Sequence, residues 1–207
     1  MFAAREVVSL FPTMVFAAVP TLDLARMNGA ARSRLRGSGS RRQTPPDLQR
    51  DPAFAPLEAA LVDAARQALD ELGYLATVRP EVNALWATLA PVAQPEPLVR
   101  SGNAFFAGVL VGEAPGEQRL RAAEPRPQAR ILEPLTSEKN ALNATEALIP
   151  LPAGRLLLFP GWLPHGLAPT PGAGERLVWR CSLLFADFVA ELAPPNWDHP
   201  HGERLDA

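Results

Sequence analysis

The sequence predicts a mainly β domain with flanking helices (α+β), and the order of its segments is what favours this fold class. Helical signals lie before residue 75, whereas short apolar runs separated by proline and glycine follow it. Such runs, without helices regularly between them, are typical of an antiparallel sandwich or barrel and not of a parallel sheet. We therefore expect a single domain over residues 1–207, with a helical lead-in at about 20–75, a β-rich core at about 76–190 and an irregular tail at 191–207.

The composition is that of a globular chain with an ordinary interior. The chain has 207 residues, of which 47% are hydrophobic and 20% charged, so it can bury a core. Its net charge of −2 favours neither a nucleic-acid nor a membrane-surface partner, and its apolar runs fall short of the about 20 residues that a membrane helix needs. The single cysteine, Cys181, excludes an internal disulfide framework and predicts a cytoplasmic location with a buried thiol.

The lead-in contains one extended segment, one short helix and one basic stretch. Residues 7–19 predict a strand, and Thr21 is expected to cap a helix that runs to about Arg36. Six arginines lie between Arg32 and Arg50, around Gly37-Ser38-Gly39-Ser40. This stretch favours a solvated loop; a lid or a patch for an anionic partner is the alternative.

The helix signal is clearest after Asp51, which is a good N-cap and is followed by Pro52. Apolar residues recur at helical spacing as far as Gly73 and form one face: Leu57, Leu61, Ala64, Ala65, Leu69 and Leu72. We expect this helix to pack on a sheet. The strands of that sheet are predicted at residues 84–89, 104–111, 155–159 and 177–188.

The stretch from Leu156 to Val178 carries the chemistry. A buried strand runs into Phe159-Pro160-Gly161-Trp162-Leu163-Pro164-His165, and Gly174-Glu175-Arg176 opens the next strand. We expect His165 and Arg176 to lie on neighbouring strands and to project toward one pocket. Imidazole is a common iron ligand, and a guanidinium can clamp a carboxylate with two hydrogen bonds.

This block resembles short bacterial and phage proteins of the 2-oxoglutarate/iron(II) oxygenase class. Their hallmark is Phe-Pro-Ser-Trp-Leu-x-His followed by Pro and Gly-x-Arg, and Gly161 replaces the serine here. Further landmarks occur in the family's order: Leu10-Phe11-Pro12-Thr13, Asp47-Leu48, Phe54, Leu57, Trp86, Ala107-Gly108-Val109 and Glu124-Pro125-Arg126. The resemblance implies a double-stranded β-helix (jelly-roll, cupin-like) core, His165 as a metal ligand and Arg176 as the ligand of the 2-oxoglutarate carboxylate.

The chain departs from this family at the other metal ligands. Active members carry a His-x-His-Pro or His-x-Asp motif between the Trp and Ser-Gly landmarks. A gapless match puts those positions on Val99 and Ser101, whereas a shifted register offers Gln94-Pro95-Glu96-Pro97, with Glu96 as a carboxylate ligand. Because no histidine precedes His165, the usual triad of two histidines and one carboxylate cannot be assembled from these positions.

Two functional hypotheses follow. The first is a pseudoenzyme that binds a small carboxylate metabolite such as 2-oxoglutarate, or a peptide or protein partner, without iron. The second is an active iron(II)/2-oxoglutarate hydroxylase with an atypical site of Glu96, His165 and the tail Asp198-His199-Pro200-His201. The missing ligands favour the first hypothesis and make iron binding doubtful. The tail is expected to be a flexible terminus, and a homo- or hetero-oligomer stays open.

Overall fold

Two α-helices and nine strands occupy the part of the chain that the structure, a computed structural model, describes: residues 11–126, 135–140 and 143–186. The helices are α1 (Leu24–Arg32) and α2 (Ala55–Glu71), and short 3₁₀ turns span Leu48–Arg50 and Pro52–Phe54. The strands are β1 (Phe16–Ala18), β2 (Arg42–Gln43), β3 (Pro80–Pro91), β4 (Phe106–Glu113), β5 (Arg119–Ala123), β6 (Glu146–Pro150), β7 (Leu156–Pro160), β8 (His165–Leu167) and β9 (Glu175–Phe185).

The strands form two antiparallel sheets. The larger sheet has the order β1-β7-β4-β9-β3-β2, and the smaller has the order β6-β5-β8. Long strands form the centre of the larger sheet, where β9 pairs with β3 from Glu175 opposite Pro91 to Phe185 opposite Pro80. After β4 the chain passes repeatedly between the sheets, because β5, β6 and β8 belong to the smaller sheet whereas β7 and β9 belong to the larger. This is the double-stranded β-helix that the sequence predicts.

Each face of the larger sheet is covered by its own set of apolar side chains. Successive side chains of a strand point to opposite faces, and β9 follows this rule: Val178 packs between the two sheets, whereas Leu177, Trp179 and Cys181 pack against the helices. Along β4, Val109 likewise lies between the sheets. The space between the sheets is therefore the interior of the β-helix, and it also receives polar groups.

The helix α2 braces the larger sheet, as predicted. Leu57, Leu61, Ala65 and Leu69 are buried against the sheet, and Gly73 follows the helix with φ +77°, a conformation that suits glycine. Asp51 caps the 3₁₀ turn that precedes α2, because its carboxylate accepts a hydrogen bond from the Ala53 backbone N–H at 2.9 Å. Neither α1 nor α2 is long and apolar enough to cross a membrane.

The prediction for the first helix was wrong at both ends. Asp23 caps α1, since its Oδ1 accepts from the Arg26 N–H at 3.0 Å. The helix ends at Arg32, because the backbone of Arg36 instead pairs with Gln43 through N–O distances of 2.8 and 3.2 Å. Pairing with the sheet therefore overrides the local helix signal.

The basic stretch is more ordered than the predicted solvated loop. It contributes β2, which pairs with β3 at the edge of the larger sheet. Near its start, the Arg34 guanidinium pairs with Asp51 at 2.6 Å and stacks over the Phe54 ring at 5.1 Å. The predicted strand over 7–19 is short, since β1 spans only Phe16–Ala18 of the described residues, and residues 1–10 lie outside them.

Candidate functional site

A cavity of about 180 Å³ opens between the two sheets, beside His165. Its polar wall is formed by Arg41, Gln43, Glu96, Ser101, His165 and Arg180, and its apolar wall by Trp86, Pro97, Val99, Ala107, Gly108 and Cys181. The lining residues come from β2 and the residue before it, from β3, β4, β8 and β9, and from the segment between β3 and β4. A volume of this size accommodates a small metabolite or a side chain, and is below the range of about 300–1,000 Å³ of drug-sized sites.

His165 is buried and oriented by its own loop. Only 3% of the residue is exposed, and the ring packs on Phe159 with 4.6 Å between the ring centres. Its Nδ1 lies 2.9 Å from the Leu163 carbonyl oxygen, which can only accept, so Nδ1 carries the hydrogen and Nε2 has the free lone pair in the neutral ring. Burial, and repulsion from Arg180, lower the pKa of His165, although the Leu163 carbonyl and Glu96 oppose this. The ring is therefore neutral near pH 7.

Val99 and Ser101 lie where the gapless match predicts the missing metal ligands. Val99 and His165 are directly opposite in an antiparallel bridge, with two N–O distances of 2.9 Å. The Ser101 N–H donates to the Gly161 carbonyl at 2.9 Å, and both residues line the cavity of His165. The side chains that line the cavity at these two positions are therefore an isopropyl group and a hydroxyl.

Glu96 is held by positive groups. Its Oε2 accepts from the Leu167 backbone N–H at 3.0 Å and from the Arg180 guanidinium, while its Oε1 lies 3.8 Å from an Arg176 nitrogen and 4.0 Å from an Arg41 nitrogen. Burial alone would raise the pKa of Glu96, but Arg180, the Leu167 N–H and the other two arginines together lower it. Glu96 is therefore an ionised carboxylate inside an arginine cluster.

Arg176 is placed differently from the prediction. His165 and Arg176 are not on neighbouring strands, because β8 belongs to the smaller sheet and β9 to the larger. The Arg176 side chain is fully buried and donates to the carbonyls of Val92, Ala168 and Gln94 and to the Gln118 side chain, at 3.0 to 3.3 Å. It lies next to Glu96 but does not line the cavity of His165. Its predicted role toward a carboxylate ligand stays a prediction.

Two guanidiniums do line the cavity, those of Arg41 and Arg180, and neither was assigned to the site from the sequence. Arg176, Val178 and Arg180 share one face of β9 because side chains alternate along a strand. An arginine in the middle of the apolar run from Leu177 to Phe185 was the signal that could have revealed Arg180. Arg180 is 6% exposed, and its Nε–H has no acceptor among the described residues.

Repulsion within the arginine cluster affects the pKa of Arg176. Burial, with the charges of Arg180 and Arg41, lowers the pKa of Arg176, and only Glu96 opposes this. Three guanidinium charges thus face one carboxylate charge within 4.0 Å. The site is electropositive.

These residues do not fit iron(II). Iron in oxygenases of this kind is held by two imidazoles and a carboxylate, whereas the cavity offers one imidazole, and its carboxylate is already paired with Arg180. Among the described residues, no three His, Cys, Asp or Glu side chains are grouped as a metal site would require. The tail residues Asp198, His199 and His201 lie outside the described residues.

Comparison with known proteins finds the fold but no sequence family. No protein-family model and no curated protein match the chain. HygX from Streptomyces hygroscopicus, with nickel and 2-oxoglutarate bound, matches with a TM-score of 0.53 and 14% identity over 83% of this chain and 82% of its own. A prolyl-4-hydroxylase from Pseudomonas putida matches with a TM-score of 0.52 and 16% identity over 83% of this chain and 92% of its own.

An oxidoreductase of the 2OG-Fe(II) oxygenase family from Burkholderia pseudomallei gives a TM-score of 0.52 and 12% identity, over 78% of this chain and 77% of its own. The fold is the one these oxygenases share. Because identities this low establish the fold alone, the chemistry of the chain has to be argued from its own cavity.

Proposed function

We propose that this chain is a binding protein built on the 2-oxoglutarate oxygenase fold, and that it carries out no iron-dependent oxidation. One observation carries the proposal: Val99 and Ser101 line the cavity opposite His165, where the family resemblance expects the other two metal ligands. Neither side chain can replace an imidazole or a carboxylate as an iron ligand.

The charge of the cavity supports the same conclusion. Arg180 and Arg41 line the cavity together with His165. Arg180 contacts one carboxylate oxygen of Glu96, and Arg41 lies near the other. A divalent cation there would be repelled by both guanidiniums, and the attraction of Glu96 is already used by Arg180. Interactions between charges a few ångströms apart are strong in a partly buried site, so this environment disfavours Fe²⁺.

The same features favour a ligand with a negative charge. Guanidinium groups bind carboxylates through charge-assisted hydrogen bonds without any metal. A small carboxylate metabolite fits the volume of about 180 Å³, and the acidic side chain of a peptide or protein partner offers the same group. We propose the metabolite as the ligand because the cavity is small and lies between the sheets.

The competing hypothesis is an active oxygenase that uses Glu96, His165 and histidines of the tail. It requires the Glu96 carboxylate to leave Arg180 and the Leu167 N–H before it can bind a metal. That exchange would leave Arg180, which is 6% exposed, as an unpaired buried charge.

The test is the release of succinate from 2-oxoglutarate, measured with Fe(II), ascorbate and oxygen, in the full-length protein and in His165→Ala. We expect the wild-type protein to release succinate no faster than the variant or the protein-free reaction. Iron-dependent release that is lost in His165→Ala would overturn the proposed function and establish the atypical oxygenase.

A further inference from the structure

We propose that the cavity beside His165 binds the carboxylate of a small organic acid between Arg180 and Arg41, so that an anion takes the place where an oxygenase would hold its metal cation. This inference rests on the proposed function and specifies its ligand and the residues that select it. It differs from the role expected of Arg176, whose guanidinium is fully buried and donates to Val92, Ala168, Gln94 and Gln118.

The residues around Glu96 have a surplus of hydrogen-bond donors and of positive charge. Three guanidiniums lie within 4.0 Å of the single Glu96 carboxylate. Arg180 is 6% exposed, lines the cavity, and has an Nε–H without an acceptor in the described ranges. A buried donor without an acceptor is costly, and each buried charge needs a partner. A second carboxylate in the cavity would supply both an acceptor and a countercharge.

The apolar lining of the cavity determines which kind of anion the cavity suits. Trp86, Pro97, Val99 and Ala107 line the cavity beside the polar groups. These apolar side chains can contact a carbon skeleton, whereas phosphate or sulfate has none to offer. Guanidinium groups bind planar carboxylates through charge-assisted hydrogen bonds, as Arg180 binds Glu96. The lining therefore favours a carboxylic acid over an inorganic oxyanion.

Arg41 is the residue that is placed to select the ligand. Its side chain is 40% exposed and lines the cavity, and its guanidinium is 4.0 Å from Glu96, too far for a hydrogen bond. It can therefore turn toward a ligand without losing a hydrogen bond to Glu96. The next residue, Arg42, pairs instead with Glu175 at 3.2 Å and does not line the cavity. Arg42 is thus a matched control on the same stretch of chain.

The experiment is a calorimetric titration of the full-length protein with succinate, in the presence of EDTA to exclude any metal. We expect binding in the millimolar range or tighter. Arg41→Gln should weaken it about tenfold, the effect of one charge-assisted hydrogen bond, whereas Arg42→Gln should change it less than about twofold, because an exposed ion pair contributes little. Succinamide, which has no charge, should not bind, and phosphate should bind more weakly than succinate.

A second measurement does not depend on Arg41. Succinate should raise the melting temperature of Glu96→Gln by more than it raises that of the wild type, because the added carboxylate replaces the missing countercharge. The inference is overturned if succinate does not bind, if Arg41→Gln binds it like the wild type, or if phosphate binds more tightly than succinate. Should succinate fail to bind while iron-dependent turnover is also absent, only this inference falls and the proposed function stands.

Discussion

Replacing Glu96 by glutamine is the change that probes the arginine cluster most directly. Glutamine keeps an oxygen that can accept from the Leu167 N–H but removes the charge that faces Arg176, Arg180 and Arg41. Arg176 is 0% and Arg180 6% exposed, so water can replace the lost partner only through the cavity that Arg180 lines. Breaking a buried ion pair by removing one member costs about 3–5 kcal/mol. Because glutamine retains one hydrogen bond, we expect a loss near the lower end, about 3 kcal/mol.

For a chain of this size such a loss lowers the melting temperature by about 6–12 °C. The assay is urea denaturation and thermal unfolding at pH 7, and the matched control is Glu175→Gln, whose exposed carboxylate pairs with Arg42 at 3.2 Å. The control should cost less than about 1 kcal/mol. If the two variants lose equal stability, the buried cluster does not have the energetic role assigned to it.

The same variant carries a pH signature. Since the pKa of Glu96 is lower in the folded protein than its ordinary value of 4.5, its ionisation stabilises the fold fully above that ordinary value. This stabilisation is lost as the pH falls through the lowered, folded-state pKa. The stability difference between wild type and Glu96→Gln should therefore shrink below about pH 4. A difference that grows toward acid would contradict the direction of the pKa shift.

Three further outcomes are expected. Gly161→Ser, which introduces the serine of the family that the block resembles, should destabilise the fold by about 3 kcal/mol in urea denaturation, because a Cβ there would meet a backbone oxygen at 2.2 Å; a neutral effect would contradict this packing. Burial raises the pKa of Cys181 to about 12, so a thiol reagent at pH 8 should label it only after unfolding, and rapid labelling of the folded protein would refute its burial. Val99→His combined with Ser101→Asp should tighten Ni(II) binding at least about tenfold over Val99→His alone, and an unchanged affinity would mean that these positions do not face His165 as ligands.

The sequence predicted the long elements and missed several of the short strands for a physical reason. The apolar runs of β3, β4, β7 and β9 are buried on both faces, so they stand out as continuous hydrophobic segments. In contrast, β6 is largely exposed and β8 has only three residues, so neither leaves a clear pattern. Length and burial together decided which strands could be recognised.

The candidate site was predictable only where residues are close in sequence. His165 was found through its surrounding block, and Val99 and Ser101 through a gapless match. Arg41 and Arg180 were not assigned to the site, because their approach to Glu96 depends on pairing between segments that are far apart in the chain. A buried arginine inside an apolar strand is the pattern to examine first in such a fold.

The central claim, that the oxygenase fold here has exchanged a metal site for an arginine-rich cavity, is tested most directly by an anaerobic titration of the full-length protein with Fe(II) in the presence of 2-oxoglutarate. The visible charge-transfer band that an iron–2-oxoglutarate complex gives is the signal. The cavity composition of His165, Arg180, Val99 and Ser101 predicts that no such band develops. A saturable band that is lost in His165→Ala would contradict the claim.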